Sequence, residues 1–337
     1  MQLAKRNSNT KGEKTMKYEN DKVVIVTVTY NSSQYLKRQV ESLRKSTIPI
    51  DKIVVVDNNS NDEHWENVKK IALCNEKIEL LRQKDNLGGA GGFEKGVEYV
   101  LDKYPNYDWM WIMDDDAFPK EDCLEKLLKY KDIDDLGCLS PMIYGVELKE
   151  YQYYHPKNAS KFLNSNVAVT TDIKELSEIT PIEINAFVGP LVKLSVVKKI
   201  GVPDGKLFIY GDDREYTYRI TRSFKMFLVR DAIINHRDEV MDDGKINPKG
   251  IWKEYYHYRN SVLFIRKYKS TTLQEIIGEL LLIKDAVRTS MSTLKHTRYR
   301  HYRALRIRCV WKGLRDGLLG RSGKSVDPVS FNKKYVR

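Results

Sequence analysis

Between residues 23 and 113 four short, largely apolar strand-like runs alternate with three stretches of helical character, and this alternation restricts the fold more than any other feature. The runs are Val23-Val24-Ile25-Val26-Thr27-Val28-Thr29, Ile53-Val54-Val55-Val56, Ile78 to Leu81 and Trp109-Met110-Trp111-Ile112-Met113. The first is a continuous β-branched run, which reads as a strand covered on both faces, as in a parallel sheet. A helical stretch with Val40 and Leu43 inward follows it and ends near Pro49; another spans about 63–74, and a third runs from a glycine-rich turn at 88–92 to about Lys103. A β-α-β-α-β-α-β order predicts an α/β domain. Beyond 135 the pattern loosens, with short strands expected around 136–143, 183–193 and 226–230 and a helical remainder from about 250.

In open α/β sheets ligands bind beyond the carboxyl ends of the strands. That rule selects Thr29-Tyr30-Asn31, Asp57-Asn58-Asn59-Ser60 and Asp114-Asp115-Asp116, all polar. The acidic triplet follows a wholly apolar strand, so three carboxylates converge where mutual repulsion is costly without a cation. Alternate carboxylates favour a hard divalent ion such as Mg²⁺ or Mn²⁺. The other reading is a solvated turn before a helix that Pro119 opens near its first turn. Asp57 reads either as an acceptor for a nucleobase or ribose, or as a cap for the helix starting near Glu63.

Asn86-Leu87-Gly88-Gly89-Ala90-Gly91-Gly92-Phe93 opens a helix, where glycines permit close backbone approach and the N-terminus favours anions. The segment has neither dinucleotide-fingerprint spacing nor the Gly-Lys-Ser/Thr of a P-loop. A second acidic cluster, Gly211-Asp212-Asp213-Arg214-Glu215, follows Leu207-Phe208-Ile209-Tyr210. One of its carboxylates, beside neutral aromatic residues, is a candidate general base with a raised pKa. The cluster equally suits a helix N-terminus, with Arg219 and Arg222 placed for structural ion pairs. His236, just past an expected strand, is either a structural histidine or a ligand.

Taken together, in this order and spacing over roughly residues 22–240, these motifs resemble the inverting GT-A glycosyltransferases of family 2. The Asn86–Phe93 segment with Met113-Asp114-Asp115-Asp116-Ala117 is similar to galactofuranosyltransferases; rhamnosyltransferases of the family more often carry Asn-x-Asp at the triplet. The resemblance implies a GT-A (nucleotide-diphospho-sugar transferase, Rossmann-like) α/β domain over 22–245. It implies a UDP-sugar donor, UDP-galactofuranose, contacted by Thr29, Asn31, Asp57, Asn86, Gly91 and Asp115. Asp114, Asp116 and His236 would hold Mn²⁺ or Mg²⁺ against the diphosphate. Asp213 would be the catalytic base, Asp212 would orient the acceptor, and Phe187 and Gly189 of Phe187-Val188-Gly189-Pro190 would line the acceptor side. Tyr256-His257-Tyr258-Arg259-Asn260 is shared too widely to discriminate.

Charge and tail patterning bear on partners. The chain of 337 residues is 41% hydrophobic and 31% charged, enough for a sizeable core in about two domains. Its net charge of +12 is concentrated at the ends: Lys284 to Ser325 holds 12 basic and 2 acidic residues, and Met1 to Lys22 holds 6 and 3. Residues 1–21 read as a flexible basic lead-in without the apolar core of a signal peptide, and 246–337 as a basic helical region. Cys74, Cys123, Cys138 and Cys309 form no C-x-x-C pair, which fits a reducing cytosol. No apolar run reaches the roughly 18–20 residues of a membrane span.

Two stripes recur at helical spacing in the basic region. Ile276, Leu280, Ile283, Val287, Met291 and Leu294 form one; Ile307, Val310, Trp311, Leu314 and Leu318 form the other, surrounded by Arg303, Arg306, Arg308, Lys312 and Arg315. The second suits an anionic membrane interface, or a helix packed on the catalytic domain with its charges solvated. The expectation is a peripheral protein on the inner face of the cell membrane acting on a glycan or lipid-linked glycan acceptor. Nucleic-acid binding has no motif to support it, and the acidic clusters would repel phosphates in the absence of a metal. Intact Asp114, Asp116 and Asp213 argue against a non-catalytic scaffold.

Overall fold

A computed structural model describes residues 21–237 and 247–336, so the lead-in expected over 1–21 (Asp21 apart) and the boundary expected at 245–246 lie outside the described residues. The first half alternates as β1 (Val23–Thr29), α1 (Ser33–Leu43), β2 (Lys52–Asp57), α2 (Asp62–Leu73), β3 (Ile78–Arg82), α3 (Gly88–Lys103) and β4 (Trp109–Asp114). Next come β5 (Ala117–Pro119), α4 (Cys123–Leu128), β6 (Leu136–Gly145), β7 (Glu150–Tyr151), β8 (Lys157–Ala159), β9 (Asn166–Ala168), β10 (Ile179–Pro181) and β11 (Val188–Lys193). The chain continues through α5 (Leu194–Ile200), α6 (Asp212–Thr221) and β12 (Lys225–His236). It finishes with α7 (Lys253–Tyr268), α8 (Thr272–Lys295), α9 (Arg303–Leu318) and α10 (Pro328–Tyr335).

One mixed sheet in the order β10-β12-β6-β11-β4-β1-β2-β3 forms the body, with β5 on β12 and β7 on β6. β1 lies parallel between β2 and β4, and Val23, Val24, Ile25 and Val26 are fully buried. Odd and even residues of these strands feed two separate cores, one on each face. Burial on both sides is why the strands read as unbroken apolar runs. Val40 and Leu43 of α1 face the core as expected.

Two local expectations are corrected. Pro119 does not open a helix: it ends β5, an edge segment paired antiparallel with β12, and α4 starts only at Cys123. Proline is tolerated there because the strand is short and peripheral. Asp57 does not cap α2: Asn61 does, its side chain accepting from the His64 N–H at 3.0 Å.

The C-terminal helices pack against the sheet domain through α7, whose Tyr255, Tyr256, Tyr258 and Arg259 are among the most buried large side chains. α9 lies against α7: Val310 and Leu314 are buried, and a Cβ at Gly313 would overlap the Tyr255 carbonyl. The basic stripe expected to meet a membrane is therefore largely consumed by packing. The α8 stripe is the bare one, with Leu273, Ile276, Leu280, Val287, Met291 and Leu294 each 42% to 65% exposed. No described helix is long and apolar enough to cross a membrane.

Candidate active site

Register brings residues expected on the donor side to one edge. Thr29 stands opposite Asp57 on β2, and Val28 opposite Asp114 on β4, so the three strands end level, at the point where the chain order reverses. Asp57 is fully buried. Its Oδ2 accepts from the Ser60 N–H at 3.2 Å and sits 3.7 Å from Arg82 Nε, while Oδ1 has no partner among the described residues. A buried carboxylate oxygen left unpaired costs free energy that a ligand N–H or O–H would recover. Asp115 is held by the Ser32 hydroxyl, which also meets Thr29 Oγ1 at 3.2 Å. Burial, then the charge of Asp116, pushes its pKa up to about 7.

Asn31, with φ of 54°, anchors the loops: its N–H donates to Ser60 Oγ at 2.9 Å and its Oδ1 accepts from the Asn61 N–H. Asn86 Oδ1 accepts from Asn58 Nδ2 at 3.2 Å and from the Gly88 N–H at 2.8 Å. The glycines of this turn serve internal packing. Gly88, at φ +74°, lies so close to the Phe208 carbonyl that any side chain would overlap it, and Gly91 is buried under the Leu87 side chain. Gly89 alone in this run points toward Asp212, 3.9 Å from where its Cβ would stand.

The metal candidates come from two distant parts of the chain. β5 pairs with β12 so that His236 lies opposite Ala117, one residue after Asp116. Ligand atoms of Asp114, Asp116 and His236 all fall within 4.8 Å of one another. His236 Nδ1 meets Gln152 Oε1 at 3.1 Å, and His155 Nε2 meets the same oxygen at 3.0 Å. An amide oxygen only accepts, so both imidazoles donate to it through these nitrogens, and His236 Nε2 faces Asp116 Oδ1 at 3.3 Å. With a neutral ring, Nε2 and the carboxylate oxygen are both acceptors that a shared cation would fit, and two carboxylates with an imidazole suit Mn²⁺ or Mg²⁺. Burial, reinforced by Asp116 and then Asp115, raises the pKa of Asp114 well above the usual carboxylate range. That is the electrostatic condition a cation relieves.

Asp212 and Asp213 open α6, where the helix dipole favours negative charge. Burial and then Asp213 push Asp212 up to about 8. Asp213 is also raised by burial, with the Arg214 N–H (2.6 Å from its Oδ1) and the charges of Lys157 and Arg214 pulling the other way. Asp213 borders a cavity of about 190 Å³ that is also lined by Tyr154, Lys157, Asn185, Tyr210 and His257. Of the ion pairs anticipated along α6, Arg219 makes one, to Glu215 at 2.7 Å, whereas Arg222 pairs with no acid among the described residues and meets Tyr218, its hydroxyl at 3.5 Å.

Phe187 and Gly189 do not line that cavity. Phe187 is buried against Phe93 and Tyr216, and Gly189 (φ +89°) packs under Ile234 while its carbonyl accepts from Trp111 Nε1. Their neighbours Asn185 and Ala186 reach the cavity instead. Sequence reasoning also missed Gln152, Arg82 and Ser32, which carry no motif. It undervalued Asn260, whose Nδ2 donates to the carbonyls of Leu207, Ile209 and Tyr210 at 2.6 to 3.0 Å. That clamp holds the strained loop before Asp212, where Phe208 and Tyr210 have positive φ.

Residues 24–199 match the model of Glycosyl transferase family 2, more than half of the chain. The chain belongs to that family. Among curated relatives of this family 2 chain, galactofuranosyltransferase GlfT1 of Mycolicibacterium smegmatis is 28% identical over 203 residues, 60% of this chain and 66% of that protein. The Mycobacterium tuberculosis GlfT1 is 29% identical with the same coverage, so the chain spans just under two thirds of these relatives' length. Among solved structures, GalNAc-T7 with UDP, GalNAc and Mn²⁺ superposes with a TM-score of 0.60 at 16% identity, covering 94% of this chain and 59% of that one. The family 2 chain thus has the GT-A fold of these neighbours, an α/β sheet with a helical C-terminal region.

Proposed function

We propose that this family 2 protein is a metal-dependent inverting glycosyltransferase. It moves galactofuranose from UDP-galactofuranose to a hydroxyl of a lipid-linked glycan, at the anionic inner face of the cell membrane, in cell-surface polysaccharide synthesis. The convergence of Asp114, Asp116 and His236 within 4.8 Å, at the sheet edge that also carries the unpaired Asp57 oxygen, carries this reading. The choice of sugar is supported by the likeness to the two GlfT1 proteins.

In this reading Asp57 Oδ1 accepts a hydrogen bond from the uridine part of the donor, and Asp115, steadied by Ser32, contacts the same part. Thr29, Asn31 and Asn86 hold the loops around it. Asp114, Asp116 and His236 would hold Mn²⁺ or Mg²⁺, which when bound offsets the charge developing on the diphosphate leaving group. Asp213 takes the proton from the acceptor hydroxyl as that oxygen bonds to the anomeric carbon and the carbon–diphosphate bond breaks. A single displacement inverts the anomer and needs no second nucleophile. Asp212 orients the acceptor, which enters through the cavity beside Tyr154 and Tyr210.

The test is donor binding and hydrolysis across UDP-galactofuranose, UDP-galactopyranose, UDP-glucose and dTDP-rhamnose, with and without Mn²⁺. Metal-dependent selection of UDP-galactofuranose is expected. Selection of dTDP-rhamnose or another hexose donor keeps the mechanism and replaces the sugar, and no binding at all overturns the enzyme reading.

A further inference from the structure

We infer that α8 is the membrane-docking element of this protein, lying in the plane of an anionic bilayer with its apolar stripe in the lipid and its other face packed on a loop that supports the acceptor cavity. The inference deepens the reading of the acceptor as lipid-linked. Leu273, Ile276, Leu280, Val287, Met291 and Leu294 fall within a narrow arc of the helix and are exposed over a length of about 32 Å at 1.5 Å per residue. Gly278, Leu282, Ala286 and Thr293 take the opposite, packed side. Trp311 extends the bare stripe from α9, its indole N–H donating to Ser290 at 3.1 Å while the ring stays 39% exposed.

Charge around the stripe is of one sign. Lys284, Arg288 and Lys295 lie exposed along one flank of α8, with Arg308 and Arg315 exposed on α9. The three α8 cations make no ion pair among the described residues. The acids of α8 are turned inward and engaged: Glu275 and Glu279 meet Arg266, and Asp285 accepts from the Tyr258 hydroxyl at 2.7 Å. An apolar face with a basic rim and an aromatic edge complements anionic headgroups over acyl chains. A second copy fits worse, because a two-fold contact would bring the unpaired cations of both copies together with no acid opposite. Residues 1–20 offer no apolar run to cover the stripe.

The position of α8 gives the docking a use. A Cβ at Gly278 would overlap the Phe162 carbonyl, and Gln274 Nε2 donates to the Lys161 carbonyl at 2.7 Å, so α8 packs directly on the 161–163 loop. That loop accepts Arg214 Nη2 at the Leu163 carbonyl, 2.7 Å away, and Arg214 follows Asp213 on the cavity wall. A membrane-bound α8 is therefore coupled through this loop, on its packed face, to the wall that carries Asp213.

The experiment is co-sedimentation of the full chain with vesicles of phosphatidylcholine alone and of phosphatidylcholine with phosphatidylglycerol, read without donor or acceptor. Partition onto the anionic vesicles is expected. It should fall at least tenfold in the Ile276→Glu/Leu280→Glu/Met291→Glu variant, and Lys284→Gln/Arg288→Gln/Lys295→Gln should remove the preference for phosphatidylglycerol. All six side chains are exposed, so both variants should keep the parent melting temperature and metal-dependent donor hydrolysis. Vesicle binding that survives the glutamate variant overturns the inference, as does an absence of binding by the parent. A concentration-dependent dimer that the glutamate variant dissociates, with no vesicle binding, assigns the stripe to a second copy. Because donor hydrolysis is read separately, losing this inference leaves the glycosyltransferase reading standing, and the reverse also holds.

Discussion

The proposed donor edge and the proposed acceptor cavity are assembled by opposite strategies. On the donor side, three neighbouring parallel strands end together, and each delivers its polar residue by register alone: Thr29 opposite Asp57, Val28 opposite Asp114. On the acceptor side, the cavity walls come from a two-stranded hairpin, the segment before β11, the start of α6 and the flank of α7. Regular pairing holds the first set in place. The second depends on side chains that clamp irregular backbone, above all Asn260 on three carbonyls and Arg259 on those of Lys206 and Leu207. Changes at the donor edge should therefore act on one ligand at a time, whereas changes in the acceptor scaffold should spread.

The largest effect expected is on the base. Asp213→Asn should lower kcat by about 10²–10⁴-fold while a calorimetric titration with UDP and Mn²⁺ stays unchanged. An equal loss of nucleotide affinity would tie Asp213 to the donor side and break the division. Gln152→Leu removes the shared acceptor of His155 and His236 without touching a proposed ligand. Mn²⁺ affinity should weaken about 10–100-fold, and an unaltered titration would remove His236 from the metal site.

Asn260→Ala tests the clamp. Leaving carbonyls unpaired should cost about 1–3 kcal/mol of stability, read as a fall in thermal midpoint, and kcat should fall more than UDP affinity as the loop before Asp212 relaxes. The mildest prediction concerns pH. As the proposed base, Asp213 would work deprotonated, and burial raises its pKa, so activity should be full above the raised value and lost as pH falls through it. The acid limb of the kcat/KM profile should lie above the ordinary carboxylate value of about 4. A limb at or below that value would show the carboxylate to be solvated in the working enzyme.

How much of this was legible differs between the halves for the same reason. Strands buried on both faces write themselves as apolar runs, so β1, β2 and β4 and the polar residues at their ends could be read directly, and the Asp114–Asp116 cluster with them. β5 could not: three residues with a proline carry no period, yet β5 is the strand that sets His236 beside Asp116. Phe187 and Gly189 were expected on the acceptor side but turn into the core, because an apolar segment beside a site reads the same whether it lines the cavity or supports it. Gln152 has no signature, since its role lies in two hydrogen bonds, one of them to a residue far along the chain.

The two C-terminal stripes show the same limit. Spacing marks both helices as amphipathic, but only packing decides which face is covered: α9 meets α7 at Gly313 and Val310, while α8 rests on Gly278 and Ala286 and leaves its larger residues bare. What the sequence by itself determined is the layered α/β domain and the carboxylates at its strand ends, because periodicity and strand termination are local properties. The His236–Asp116 pairing, which only the family resemblance implied, the cavity beside Asp213 and the bare face of α8 were decided by tertiary structure, because each depends on which distant surface arrives to fill or leave a space.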